Sequence, residues 1–297
     1  MALNQGLLPA LALTFNAFVF GVSWWPFRAL QAHGLHPLWA TSFIFVLSVL
    51  CILAIRPSGW QAFSRQPLLW LLFLSSGLTN VGFNWAVTIG DVVRVVLLFY
   101  LMPAWAVLLA WPFLGEKPTA GSLARLALAL TGVVIVLKTA ESAWPMPSGL
   151  ADWLALMGGF TFACTNILLR KLVDTPEESR MMAMFGGGAV MASLVALAGS
   201  LAGTIAWPPA LAMTWVPIAL GIGFAFLASN LALQYGAARL MATTTSLIML
   251  TEVIYASVSA SLLDAGDITL RTLVGGGLIL LASLLSIVKL PKPFRSE

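Results

Sequence analysis

Apolar residues along this chain gather into long runs separated by short polar punctuation. Breaks at charges, Pro and Gly delimit runs near residues 7–29, 37–55, 67–90, 93–114, 121–138, 149–170, 181–204, 214–236, 240–263 and 271–289. Each is close to the roughly 20 residues that an α-helix needs to cross ~30 Å of hydrocarbon. The pattern predicts ten transmembrane helices. The longest hydrophilic connection is RKLVDTPEESR, residues 170–180, so the linkers leave no room for a soluble domain. The expected fold is an all-α polytopic membrane protein, one compact bundle.

Composition agrees. Of 297 residues, 60% are hydrophobic and 9% charged, against about 25% charged in an ordinary soluble protein. So few charges would not cover the surface of a soluble domain this size. The net charge of +4 includes no basic patch interleaved with aromatics, which argues against a nucleic-acid partner. Cys51 and Cys164 lie inside apolar runs and read as buried thiols rather than a disulfide framework. The start, MALNQG, has no positive charge before the first apolar run, so that run reads as a retained span and not a cleaved signal peptide.

Lysine and arginine set the orientation. With the N-terminus cytoplasmic, only Arg28, Arg94, Lys138 and Arg271 of the 15 basic residues fall on the outer side. Both termini are therefore expected in the cytoplasm. Trp39, Trp144, Trp153, Trp207 and Trp215 then lie near the outer interface, as an aromatic belt.

A repeat runs through the chain. GLTNVGFNWAVTIG (77–90) aligns with GFAFLASNLALQYG (223–236): Gly77, Asn84, Ala86 and Gly90 match Gly223, Asn230, Ala232 and Gly236. FVFGVSWWPFRAL (18–30) aligns with FTFACTNILLRKL (160–172) through Phe18, Phe20, Arg28 and Leu30 against Phe160, Phe162, Arg170 and Leu172. Two windows in the same order at nearly the same offset predict two halves, residues 1–140 and 141–297, of five spans each. An odd number of spans per half inverts one half relative to the other. Ten helices as two inverted repeats of five is a transporter signature, with a site near the midplane between the halves.

The stretch LMPAWAVLLAWPFLGEKPT, residues 101–119, closes the fourth run. It resembles the Pro-containing helix and LGE turn of EamA-type members of the drug/metabolite transporter superfamily. The aromatic-rich chain most resembles the aromatic amino acid exporters of that superfamily, the YddG type. The resemblance implies a secondary transporter of the bacterial inner membrane that exports small hydrophobic or aromatic metabolites, aromatic amino acids foremost, by alternating access. The second half departs from it. In LTEVIYASVSASLLDAGDIT, residues 250–269, Glu252 stands where the first half has Pro103, and LDAG replaces LGEK.

Polar residues inside the spans carry the candidate chemistry, because in lipid they turn toward the bundle interior. Asn80 and Asn84 share one helix face. Asn84 is duplicated by Asn230 and suits interhelical packing or substrate contact. Asn80 has Phe226 as its counterpart, an asymmetry that puts substrate contact level with interhelical packing. Asn16 and Asn166 lie on repeat partners expected to approach the centre. Thr161 and Thr165 are more readily satisfied by their own helix backbone.

Glu252 is the one acid at mid-span, in a stripe with Thr245 and Ser259. Charged and facing lipid, it would cost roughly 2.5–3.5 kcal/mol. It reads as a proton-coupling carboxylate, an anchor for a substrate ammonium, or a neutral acid bonded to a neighbouring helix. Asp91 and Arg94, at the outer end of the third and fourth spans, read as a gate or, more readily, as a surface pair. Tyr100 lies three residues before Pro103, where a kink would free backbone carbonyls. With Met102 and Trp24 it is a candidate for ring contacts with a planar cargo. The pairs and triplets at 158–159, 186–188 and 275–277 include glycines that allow close helix contact, within the chain or in a dimer.

No Walker pattern, H-E-x-x-H or cysteine cluster occurs, so ATP drive within this chain and metalloprotease chemistry are not expected. No cofactor is expected; the partners are a small-molecule substrate and the bilayer. Rival readings are a cationic drug or other metabolite exporter and, in another class, a non-transporting membrane enzyme or scaffold subunit.

Overall fold

A computed structural model describes residues 3–115, 119–137, 147–172, 174–237, 248, 251–265 and 269–288. All regular structure among them is helical: α1 (Leu3–Val22), α2 (Trp24–Ala32), α3 (Pro37–Ile55), a 3-10 turn (Pro57–Ser64), α4 (Leu68–Ile89), α5 (Val92–Phe99), α6 (Met102–Leu114), α7 (Ala120–Leu137), α8 (Leu150–Lys171), α9 (Glu177–Leu201), α10 (Val216–Ala237), α11 (Thr251–Leu262) and α12 (Leu270–Val288). Five segments are long and apolar enough to cross a membrane: Leu7–Ala32, Pro37–Ile55, Leu150–Leu169, Glu177–Leu201 and Val216–Leu233. Shorter apolar helices accompany them over Val92–Ala106, Leu123–Ile135 and Leu270–Ala282. The chain is a multi-pass membrane protein. α4 is equally long, but its Ser, Thr and Asn residues lower its hydropathy.

Two of the predicted runs are not single helices. The first is interrupted at Ser23, between α1 and α2, where Pro26 has no N–H for the Val22 carbonyl. The Ser23 hydroxyl donates to the Phe20 carbonyl at 2.8 Å and helps satisfy the local backbone. The fourth run breaks at Tyr100–Leu101, between α5 and α6. There Pro103 has no N–H for the Phe99 carbonyl, and Leu101 N–H turns to Leu98 O at 3.2 Å, a three-residue bond. Of the ninth run, residues 240–247 and 249–250 lie outside the described residues, and with them Thr245.

The packing follows a paired pattern. α4 packs on α8, and α10 packs on α1. α4 also packs on α9, and α10 on α3. α5 and α6 pack on α8, and α11 packs on α1. α3 meets α9, and α7 meets α12. α5 closes against α11, and the N–H of Val92, the first residue of α5, reaches the Ala265 carbonyl just beyond α11 at 3.4 Å.

One buried cluster centres on α5, with Val95, Val96, Leu98 and Phe99 packed against Phe83 of α4 and Ala256 of α11. A second gathers around Phe226 of α10, which stacks on Phe20 at 4.9 Å and meets Phe27 and Phe45 edge-on or tilted. In hydrocarbon no hydrophobic force drives helices together, so close backbone approach and dispersion must do it. The glycines supply that approach inside the chain. A Cβ on Gly187 of α9 would collide with the Phe73 carbonyl of α4, and one on Gly77 would lie 2.5 Å from the Gly187 carbonyl. Gly277 of α12 meets nothing within 4 Å.

Gly187→Ala should therefore lower stability by about 1–3 kcal/mol, as overpacking does, and Gly277→Ala should stay within about 0.5 kcal/mol of the parent. Thermal unfolding of both variants in detergent micelles checks the contrast.

Candidate functional site

The break at Tyr100–Leu101 is buried by protein on two sides. Gly159 of α8 lies beside the Phe99 carbonyl, so close that a Cβ there would fall 2.5 Å from it. Only glycine admits the helix to that carbonyl. From the other side comes α11. The Tyr100 hydroxyl donates to Glu252 Oε2 at 3.1 Å. Glu252 is 8% exposed and Tyr100 3%. Gly21 of α1 packs against the Glu252 carbonyl and Tyr255 Cβ, and Phe18 meets Tyr255 edge to face at 5.5 Å. Met102, half-buried, lies against the same cluster.

The first break is held by α11 too. The Trp24 indole N–H donates to Ser259 Oγ at 3.0 Å, and the Ser259 hydroxyl donates in turn to the Ala256 carbonyl. Trp24 is buried, so it lies within the bundle and not in an interfacial belt. Arg28, one turn along α2, sits 5.2 Å from the Trp24 ring centroid. Its guanidinium donates to the Val87 and Gly90 carbonyls and so caps the C-terminus of α4, where cations are favoured. Glu252 and Ser259 are seven residues apart, on one face of α11. That face thus touches both interrupted spans.

The amides divide by role. Asn84 is buried and its Nδ2 donates to Thr41 Oγ1 of α3 at 3.2 Å, a contact between neighbouring helices. Asn80 donates to the Ser76 carbonyl one turn back at 2.9 Å and is half-buried. Asn16 is 1% exposed; its Nδ2 donates to Ser229 of α10, to the carbonyl at 3.0 Å and the hydroxyl at 2.6 Å. Its Oδ1 is buried with no donor among the described residues. Asn166, expected at the centre, is exposed on α8; Thr161 and Thr165 of that helix instead face α4, bonded to Thr79 and Ser75. Asn230 is half-buried on α10.

At the end of the bundle where α4 turns into α5, Arg94 stays within electrostatic reach of Asp91 and takes a second carboxylate partner. Asp91 caps α5, its Oδ1 accepting the Arg94 backbone N–H at 2.7 Å. The Arg94 guanidinium forks onto Asp152 of α8, Nε to Oδ1 at 2.9 Å and Nη2 to Oδ2 at 2.8 Å. Asp152 also accepts from the Ser148 N–H and hydroxyl. Nearby, His36 caps α3 by accepting the Leu38 N–H at Nδ1. Burial holds its pKa below the ordinary histidine value, keeping the ring neutral as that bond requires. Trp39 and Trp207 stack on each other at 6.2 Å, and Trp207 and Trp153 are exposed; Trp144 lies outside the described residues.

Residues 7–138 match the EamA-like transporter family. The match spans α1 to α7 and supports a multi-pass membrane transporter of the drug/metabolite type; the family is one of transporters, not enzymes. No curated protein matches the chain. A solved structure described only as "Crystal structure of protein" is similar over 94% of this chain and 95% of its own, at 16% identity and a TM-score of 0.58. At that identity the likeness speaks for the fold alone.

Asp152→Asn should cost about 1.5–3 kcal/mol of stability, as loss of hydrogen bonds to a charged group does. Adding Arg94→Gln should cost little more, because the two residues share one interaction. Chemical denaturation of the single and double variants measures that coupling.

Proposed function

We propose that the protein is a secondary transporter that exports small hydrophobic or aromatic metabolites, aromatic amino acids foremost, in the manner of YddG-type exporters. Access alternates through a site between two inverted halves, residues 1–140 and 141–297, with both termini cytoplasmic in the bacterial inner membrane. One observation carries the reading: both interrupted spans, at Ser23 and at Tyr100–Leu101, meet on one face of α11. A helix kinked at proline frees backbone carbonyls, tolerated at membrane depth only where protein or a watered cavity surrounds them, and broken helices mark substrate sites in transporters.

The paired packing supports the inverted halves. Exchanging α1/α2 with α8, α3 with α9, α4 with α10, α5/α6 with α11 and α7 with α12 carries each helix contact named above into another or onto itself. The exchange reaches single residues. Asn16 meets Ser229 across α1 and α10, and the aligned positions, Gly158 and Phe83, meet across α8 and α4.

In this reading Tyr100, Met102 and Trp24 receive the ring of the cargo. Asn16 and Asn80, with Asn84 and Asn230 around them, hold its polar end. The bare Asn16 Oδ1 is an acceptor suited to an ammonium group once α1 and α10 part. Within the same class, export of cationic drugs would use Glu252 as the anchor for the cation.

The purified full chain in liposomes should exchange labelled tryptophan and phenylalanine saturably, and Asn16→Ala should lower that exchange about tenfold, the effect of losing ~1.4 kcal/mol of binding. Exchange of a labelled lipophilic cation instead would favour the drug reading. Absence of flux for every cargo would overturn transport and leave a scaffold or an enzyme.

A further inference from the structure

We propose that Arg125 and Lys171 hold the phosphodiester of an anionic phospholipid at the end of the bundle where α6 stops and α7 begins. The site lies apart from α11 and the two interrupted spans, so the inference stands whether or not the chain transports anything. Arg125 is the sixth residue of α7, about 8 Å along the axis from the helix start at 1.5 Å per residue. Its side chain is half-buried, and its Nε is buried with no acceptor among the described residues.

The other arginines inside the bundle are engaged: Arg28 on the Val87 and Gly90 carbonyls and Arg94 on Asp152. Arg125 has nothing comparable within reach. α7 packs on α12, α6 and α5, and none of these four helices contains an acidic residue. Among the described residues no carboxylate pairs with it. A charged group at that depth without a counter-ion is costly, and a buried N–H without an acceptor asks for one from outside the chain.

A second cation lies at the same end. Lys171, exposed at the close of α8, has its Nζ 6.0 Å from the ring centroid of Phe113. Phe113 is exposed too, one residue before the end of α6. Two cations beside exposed rings at a helix end suit a lipid headgroup. The arginine stem runs along apolar surface and carries the guanidinium to the interface. There Nε–H and an Nη–H fork onto two phosphate oxygens, as guanidinium does with phosphate. The ammonium of Lys171 adds a point charge. A zwitterionic headgroup would bring its own cation beside Lys171; an anionic one does not. In the orientation proposed above, this end faces the cytoplasmic leaflet, where anionic lipid gathers.

Native mass spectrometry of the delipidated full chain, titrated with phosphatidylglycerol in micelles, tests the site. The parent should retain the lipid, Arg125→Gln should lose most of that retention, and Arg125→Lys and Lys171→Gln should each lose part of it. Phosphatidylcholine should bind severalfold more weakly. Thermal unfolding should show the parent stabilised by phosphatidylglycerol and not by inorganic phosphate at equal concentration. Parent-like retention in Arg125→Gln, or equal retention of phosphatidylcholine, overturns the proposal. Equal stabilisation by inorganic phosphate would make this a site for free anion and overturn the lipid. So would an energetic coupling of Arg125→Gln with Glu116→Gln in lipid-free micelles, which would give the guanidinium a partner inside the chain. Should Arg125→Gln fail to fold, Arg125→Lys and the exposed Lys171→Gln decide the matter, and parent-like retention in both overturns it.

Discussion

A helix that breaks inside a bilayer leaves backbone groups that lipid cannot satisfy, and this constraint governs the molecule. Pro103 forces one break and Pro26 the other. Each has to be wrapped in protein. Gly159 brings α8 against the Phe99 carbonyl, and α11 offers Glu252 to Tyr100 and Ser259 to Trp24. The packing of the centre follows from where those bonds must be made.

The same constraint links stability to movement. Contacts between α4, α8 and α9 rest on glycine approach and on hydroxyl bonds such as Thr79 to Thr161 and Thr165 to Ser75. Backbone-to-backbone packing of that kind leaves little freedom to slide. The α5–α11 seam is different in kind. It is held by aliphatic contact, one phenol–carboxyl bond and one long backbone bond at its end. On the proposed transport reading, the lightly bonded seam is where the bundle opens.

Much of this was legible in the apolar pattern. The runs at 37–55, 67–90 and 149–170 correspond closely to α3, α4 and α8, because only a helix satisfies its own backbone in lipid. The break beside Tyr100 was legible from Pro103. Partners were not. Ser229, Ser259 and Asp152 lie 213, 235 and 58 residues from Asn16, Trp24 and Arg94, and no local spacing reveals such pairs. The nearness of Asp91 and Arg94 was legible, but not that the Asp91 carboxylate would also cap the Arg94 backbone N–H, three residues on at a helix start. Asn166 misled because the helix face toward α4 was filled by its threonines.

The central claim is that transport requires α5 and α11 to part. A disulfide between cysteines placed at Val92 and Ala265, with Cys51 and Cys164 replaced by serine, tests it most directly. The account predicts that the oxidised protein carries no tryptophan across liposome membranes and that reduction restores the flux. Undiminished flux through the fully cross-linked protein would contradict it.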